Sequence, residues 1–94
     1  MLAIPVPGHT KGSVVYLVDD TYLFTGDSLC WDYTGDRMHA FERECWYSWT
    51  IQKASLAGLA KYPFNQLFSG HGKWSPWRER DIMRRELLEL TQRM

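Results

Sequence analysis

At 94 residues and 11.1 kDa the chain is long enough for one domain, spanning 1–94, and too short for two. Its 45% apolar and 23% charged residues are those of an ordinary folded chain, while 15% aromatic content with five Trp is high for so small a surface, which suggests apolar surface covered by another chain. Eleven basic and eleven acidic side chains cancel to zero net charge, so no global field draws in nucleic acid, an anionic membrane or an acidic partner.

Leu2 to Val6 reads as an edge strand, broken by Pro5 and Pro7, that leads into the loop Pro7-Gly8-His9-Thr10-Lys11-Gly12-Ser13. Val14 to Val18 and Thr21 to Thr25 are β-branched and aromatic runs separated by Asp19-Asp20, which predicts an antiparallel hairpin. Both runs are almost continuously apolar, so the sheet is expected to be covered on both faces. Ser28 to Glu44 is irregular and reads as a long loop carrying a short helical turn. Trp46, Trp49, Lys53, Leu56 and Ala60 then fall at helical spacing, predicting a helix over roughly 46–62 that Pro63 stops. Asn65 to Ser69 reads as a short strand ending in Gly70-His71-Gly72.

The last segment predicts a helix with Ser75 as N-cap and Pro76 as its first residue. Met83, Leu87, Leu90 and Met94 form one apolar stripe, and the charged residues from Arg78 to Glu89 form a solvated face. No run approaches the roughly 18 to 20 apolar residues of a membrane span, and no signal peptide is read, so the expected compartment is the cytoplasm. Cys30 and Cys45 stand in no Cys-x-x-Cys pair and read as small buried hydrophobes. His39 has no glycine frame and reads as surface or loop.

Three possible metal ligands share one kind of address. His9 lies in a glycine-rich loop before a strand, Asp27 follows a strand behind Gly26, and His71 follows a strand between Gly70 and Gly72. If the strands align, two imidazoles and a carboxylate meet on one sheet edge, a donor set suited to Zn(II), Fe(II) or Mn(II). The glycines permit the sharp turns and close approach that such an edge demands.

Pro7-Gly8-His9-Thr10-Lys11-Gly12-Ser13, Leu23-Phe24-Thr25-Gly26-Asp27 and Phe68-Ser69-Gly70-His71-Gly72 together, in that order, resemble the third to fifth metal-binding motifs of the metallo-β-lactamase superfamily, which includes glyoxalase II-like thioester hydrolases. The stretch from Ser55 to Ala60, ahead of Pro63-Phe64, also resembles the helix preceding the last motif. The resemblance implies an α+β fold, half of an αββα sandwich: a mostly antiparallel sheet with two helices on one face. It further implies that His9 binds a first metal, Asp27 bridges two metals and His71 binds the second, with metal-activated water attacking an ester, thioester, lactam or phosphodiester.

The family's H-x-H-x-D-H loop, which belongs to its N-terminal half and supplies further ligands and the proton acceptor, does not occur in this sequence. The chain therefore resembles the C-terminal half alone. The inner sheet face is then expected to need a partner: a second copy in a homodimer, or the missing N-terminal half. The alternative reading is a non-catalytic dimeric interaction module, or a vestigial fragment, with no bound metal.

Overall fold

The computed structural model describes residues 1–70 and 74–94. Four strands make one sheet in the order β1-β2-β3-β6: β1 (Leu2–Pro5), β2 (Val14–Val18), β3 (Tyr22–Gly26) and β6 (Gln66–Ser69). The pairs β1–β2 and β2–β3 are antiparallel and β3–β6 is parallel, so the sheet is mostly antiparallel. Two helices follow the α+β pattern, α1 (Trp49–Gly58) and α2 (Arg80–Arg93).

Register decides which side chains share a face. Ile4 opposite Val15, and Leu17 opposite Leu23 and then Leu67, point into the core, where Leu56 and Leu59 pack with Met83, Leu87 and Leu90 of α2. Both helices thus bury their apolar side against one face of the sheet. The Cα radius of gyration, 11.7 Å, is close to the ~12 Å of a folded chain this long. Among the described residues no helix is long and apolar enough to cross a membrane.

The opposite face carries the row Ala3, Tyr16, Phe24 and Phe68, with Val18, Tyr22 and Gln66 beside it. Nothing in the described chain covers it. Tyr16 is 41%, Phe24 43% and Trp74 62% exposed, and Phe68 gathers its neighbours into a cluster, stacking on Phe24 at 4.8 Å and meeting Tyr22 and Trp74 edge-on or tilted. Cover on both faces is not supplied within the described residues, whose helices form one layer; the open face is the one expected to need a partner. The strands read as continuously apolar because their open side is also aromatic, not because this chain buries it.

Three boundaries also differ from expectation. The segment after Ser28 is more ordered than a loop, folding into a hairpin of β4 (Cys30–Asp32) and β5 (Arg37–His39), followed by the helical turn Glu42–Glu44. Helix α1 starts at Trp49 and not at Trp46, because the Ser48 hydroxyl accepts from the Ile51 N–H at 3.2 Å and caps it. Its last turn tightens into a 3-10 turn, Leu59–Lys61, before Pro63.

Ser75 does not cap α2. Its hydroxyl accepts from the Leu67 N–H at 2.8 Å, and the Ser75 N–H donates to the Leu67 carbonyl at 2.9 Å. Arg78 and Asn65 are tied likewise: the Arg78 N–H donates to the Asn65 carbonyl, and the Asn65 amide donates to the Arg78 carbonyl. These bonds hold the segment from Trp74 to Arg78 along β6, so the helix begins only at Arg80. Once begun, it keeps the expected stripe, with Met83, Leu87 and Leu90 buried.

Candidate functional site

The loop after β1 is set by the backbone it lies on. Gly8 has φ 149°, and a Cβ there would stand 2.2 Å from the Gln52 Cβ, so the loop presses directly on α1. The Gly8 carbonyl accepts from the Ser48 N–H at 3.0 Å and the Tyr47 N–H at 3.3 Å, and from the Cys45 thiol at 3.0 Å. The Ser55 hydroxyl donates to the Pro7 carbonyl at 2.8 Å, and the Trp46 N–H donates to the His9 carbonyl at 2.9 Å. His9 is thus carried on a loop bonded at every residue from Pro7 to His9.

Asp27 is delivered from the other side by a tight turn. Thr25 is buried, and its hydroxyl donates to the Leu29 carbonyl across the turn and to the Phe68 carbonyl of β6. The Ser28 N–H closes the turn onto the Thr25 carbonyl at 3.1 Å. Beside it, the Gly70 N–H donates to the Gly26 carbonyl at 2.7 Å, and a Cβ at Gly70 would meet the Asp27 Oδ1 at 3.1 Å. A side chain at Gly70 would make Asp27 or the Gly26 backbone give by a few tenths of an ångström.

These two loops bring His9 Nε2 to 3.7 Å from Asp27 Oδ2, with the side chains 15% and 37% exposed. The sequence expectation for His9 and Asp27, that strand-tip loops converge, holds in the geometry. His71 lies outside the described residues, and the chain is described up to its neighbour Gly70. Among the described residues no three His, Cys, Asp or Glu side chains gather as a metal site. A nitrogen and a carboxylate oxygen at this separation, partly open to solvent, fit as two donors of a divalent cation, and a catalytic zinc site ordinarily takes three from protein.

The sequence reading missed Thr25, Ser28, Gln52 and Ser55, the residues that hold the loops. They are small or amide side chains with no motif of their own, and the buried ones among them, Thr25, Ser28 and Gln52, are hydrogen-bonded within or to the site's own loops. The expectation that Cys30 and Cys45 are buried is also corrected: both are half-buried free thiols. His39 lies on β5 and not in a loop, half-buried, with its ring edge-on to Phe41 at 4.5 Å.

The Cys30 thiol donates to the His39 carbonyl at 3.1 Å. Burial, followed by the carboxylates of Asp32 and Asp27, pushes its pKa from 9.0 up to about 11. At pH 8 the folded chain should therefore hold about a hundredfold less Cys30 thiolate than the unfolded chain. Mass-resolved alkylation with iodoacetamide should show Cys30 modified at least that much more slowly in native buffer than in urea; equal rates would contradict the burial. The unfolded chain loses this proton first as pH rises, so the thiol's effect on stability is absent below pH 9.0 and turns unfavourable between there and about 11.

No family model matches the sequence, and no curated protein matches it.

Proposed function

We propose that the chain is the metal-binding half of a metallo-β-lactamase-like hydrolase, in which His9, Asp27 and His71 hold a divalent cation: zinc, or else iron or manganese. The observation that carries this reading is the 3.7 Å approach of His9 to Asp27, each delivered from its own strand-tip loop. The motif resemblance supports it independently, since it selects these residues from sequence alone. When bound, a cation of this kind lowers the pKa of its water to near 7 and so supplies hydroxide for attack on an ester or thioester. The chain's own residues do the rest. The bonds to Gly8 and Pro7 fix where His9 stands, the Thr25 turn fixes Asp27, and Gly70 keeps the edge beside Asp27 open.

A second apolar layer completes the fold in this reading, and the occupant we propose is a second copy of the chain. The open face carries no charged residue in its paired rows, so two copies meet without burying like charges. Its exposed aromatics offer roughly 400 Å² of the ~800 Å² per partner that a standard interface buries. A missing N-terminal half is the other candidate occupant. A cytoplasmic residence goes with this reading, since both cysteines are free thiols. A non-catalytic dimer without metal is the second reading, favoured by the lack of an H-x-H-x-D-H string in the sequence.

Hydrolysis of a generic thioester, with and without added Zn(II), separates the two readings. Zn-dependent turnover that Asp27→Ala abolishes supports the hydrolase. Dimeric protein with no Zn-dependent turnover supports the interaction module.

A further inference from the structure

Gln52 lies on α1 four residues before Leu56, and both are almost fully buried. At such a position a helix packing on a sheet ordinarily carries an apolar residue. Its amide Nε2 donates to the Ser28 carbonyl at 2.9 Å, and its Oε1 is buried with no hydrogen-bond partner among the described residues. The orientation is fixed chemically, because a carbonyl can only accept and the nitrogen must face it. Burying an amide with half its capacity unused carries a cost that Leu or Met would not incur. What the amide gains is a single bond, to the residue that follows Asp27.

The same residue receives the other loop. The Gly8 Cα lies so close that an added Cβ would stand 2.2 Å from the Gln52 Cβ, 2.3 Å from its Cα and 2.6 Å from its N. The Gly8 carbonyl is in turn bonded to the backbone N–H of Ser48, whose own carbonyl accepts from the Gln52 N–H at 2.9 Å. One side chain on one helix therefore touches both loops of the site, one through backbone contact and one through its amide.

We infer that Gln52 is a positioning residue, holding the His9 loop and the Asp27 turn at the separation a shared cation needs. The inference rests on the metal-site reading above, and the experiment keeps the two apart. Gln52→Met preserves length and burial and removes the donor. Leu87→Val on α2 serves as a control that loosens the core without touching either loop. Two measurements on the full-length chain are required: the Zn(II) dissociation constant by chelator competition, and amide hydrogen exchange of residues 8–10 and 27–29 in metal-free protein.

Gln52→Met should weaken Zn(II) by about tenfold or more and speed exchange in the Asp27 turn. Leu87→Val should lower the melting temperature and leave both readouts as they are. A folded Gln52→Met protein that binds Zn(II) as tightly as its parent overturns the inference. If the parent itself binds no Zn(II), the site reading falls and exchange alone decides: faster exchange in Gln52→Met upholds the positioning role, and unchanged exchange ends it.

Discussion

Gly8→Ala should cost this chain a large part of its stability. The added methyl carbon would be placed 2.2 Å from the Gln52 Cβ, in a backbone conformation of φ 149° that residues with side chains rarely adopt. Neither partner can yield cheaply, because the obstruction is the body of α1 and not the end of a flexible side chain. The loop has to leave the helix, giving up the bonds from Ser48, Tyr47 and Cys45 to the Gly8 carbonyl. A loss of about 4 kcal/mol is expected, within the range that large steric and strain effects reach. Against a total of about 5–15 kcal/mol for a small domain, that is between about a quarter and four-fifths of the whole. In a thermal melt the midpoint should fall by roughly 20 °C. Gly12→Ala is the control: an added Cβ there meets nothing within 4 Å, and its melt should be unchanged. Equal melts for the two variants would show that the loop does not rest on α1.

If two copies pair through the open face as proposed, Phe24→Glu should leave the chain a monomer. Phe24 is central to the open face, directly opposite Tyr16 and Phe68 in register and stacked on Phe68. A carboxylate in that row would be repeated by the second copy, placing two like charges in a region otherwise without any. Removing one central aromatic anchor ordinarily costs an interface about 2 kcal/mol or more, and the added repulsion comes on top. Light scattering on an eluting peak should give twice 11.1 kDa for the parent and 11.1 kDa for Phe24→Glu. Leu88→Glu places the same charge on another exposed apolar residue, on α2, and should leave the dimer intact. A parent that stays monomeric and well folded at micromolar concentrations would remove the second copy from the account.

The strands and helices were legible where hydrophobic pattern alone decides them. The β2–β3 hairpin, the strand before Gly70 and the Met83–Leu87–Leu90 stripe follow from pattern. What escaped was set by tertiary bonds. Ser75 has every local mark of an N-cap, yet pairing with Leu67 in β6 claims its hydroxyl. The hairpin of β4 and β5 has strands of three residues each, too short for periodicity to register. The open face was legible as apolar from the strand runs, but its lack of cover followed only from the resemblance to half of a sandwich, because a strand run says what its side chains are and not whether anything lies over them.

The site divides along the same line. His9 and Asp27 were found from residue type and glycine context, and the fold brings them together. The residues that set the distance between them were not found. Thr25 and Gln52 are polar side chains buried in the fold, and their role is visible only once the partner carbonyls of Leu29 and Ser28 are known. Which residues are candidates is a local property of a sequence; how near they come to one another depends on bonds between distant segments.

The central claim, that His9, Asp27 and His71 hold one cation, is tested most directly by metal content. Protein prepared without chelator and dialysed against Zn(II) should carry close to stoichiometric metal, and His9→Ala, Asp27→Ala and His71→Ala should each lose most of it while remaining folded. Sub-stoichiometric zinc in the parent, unchanged in the three variants, would contradict the claim.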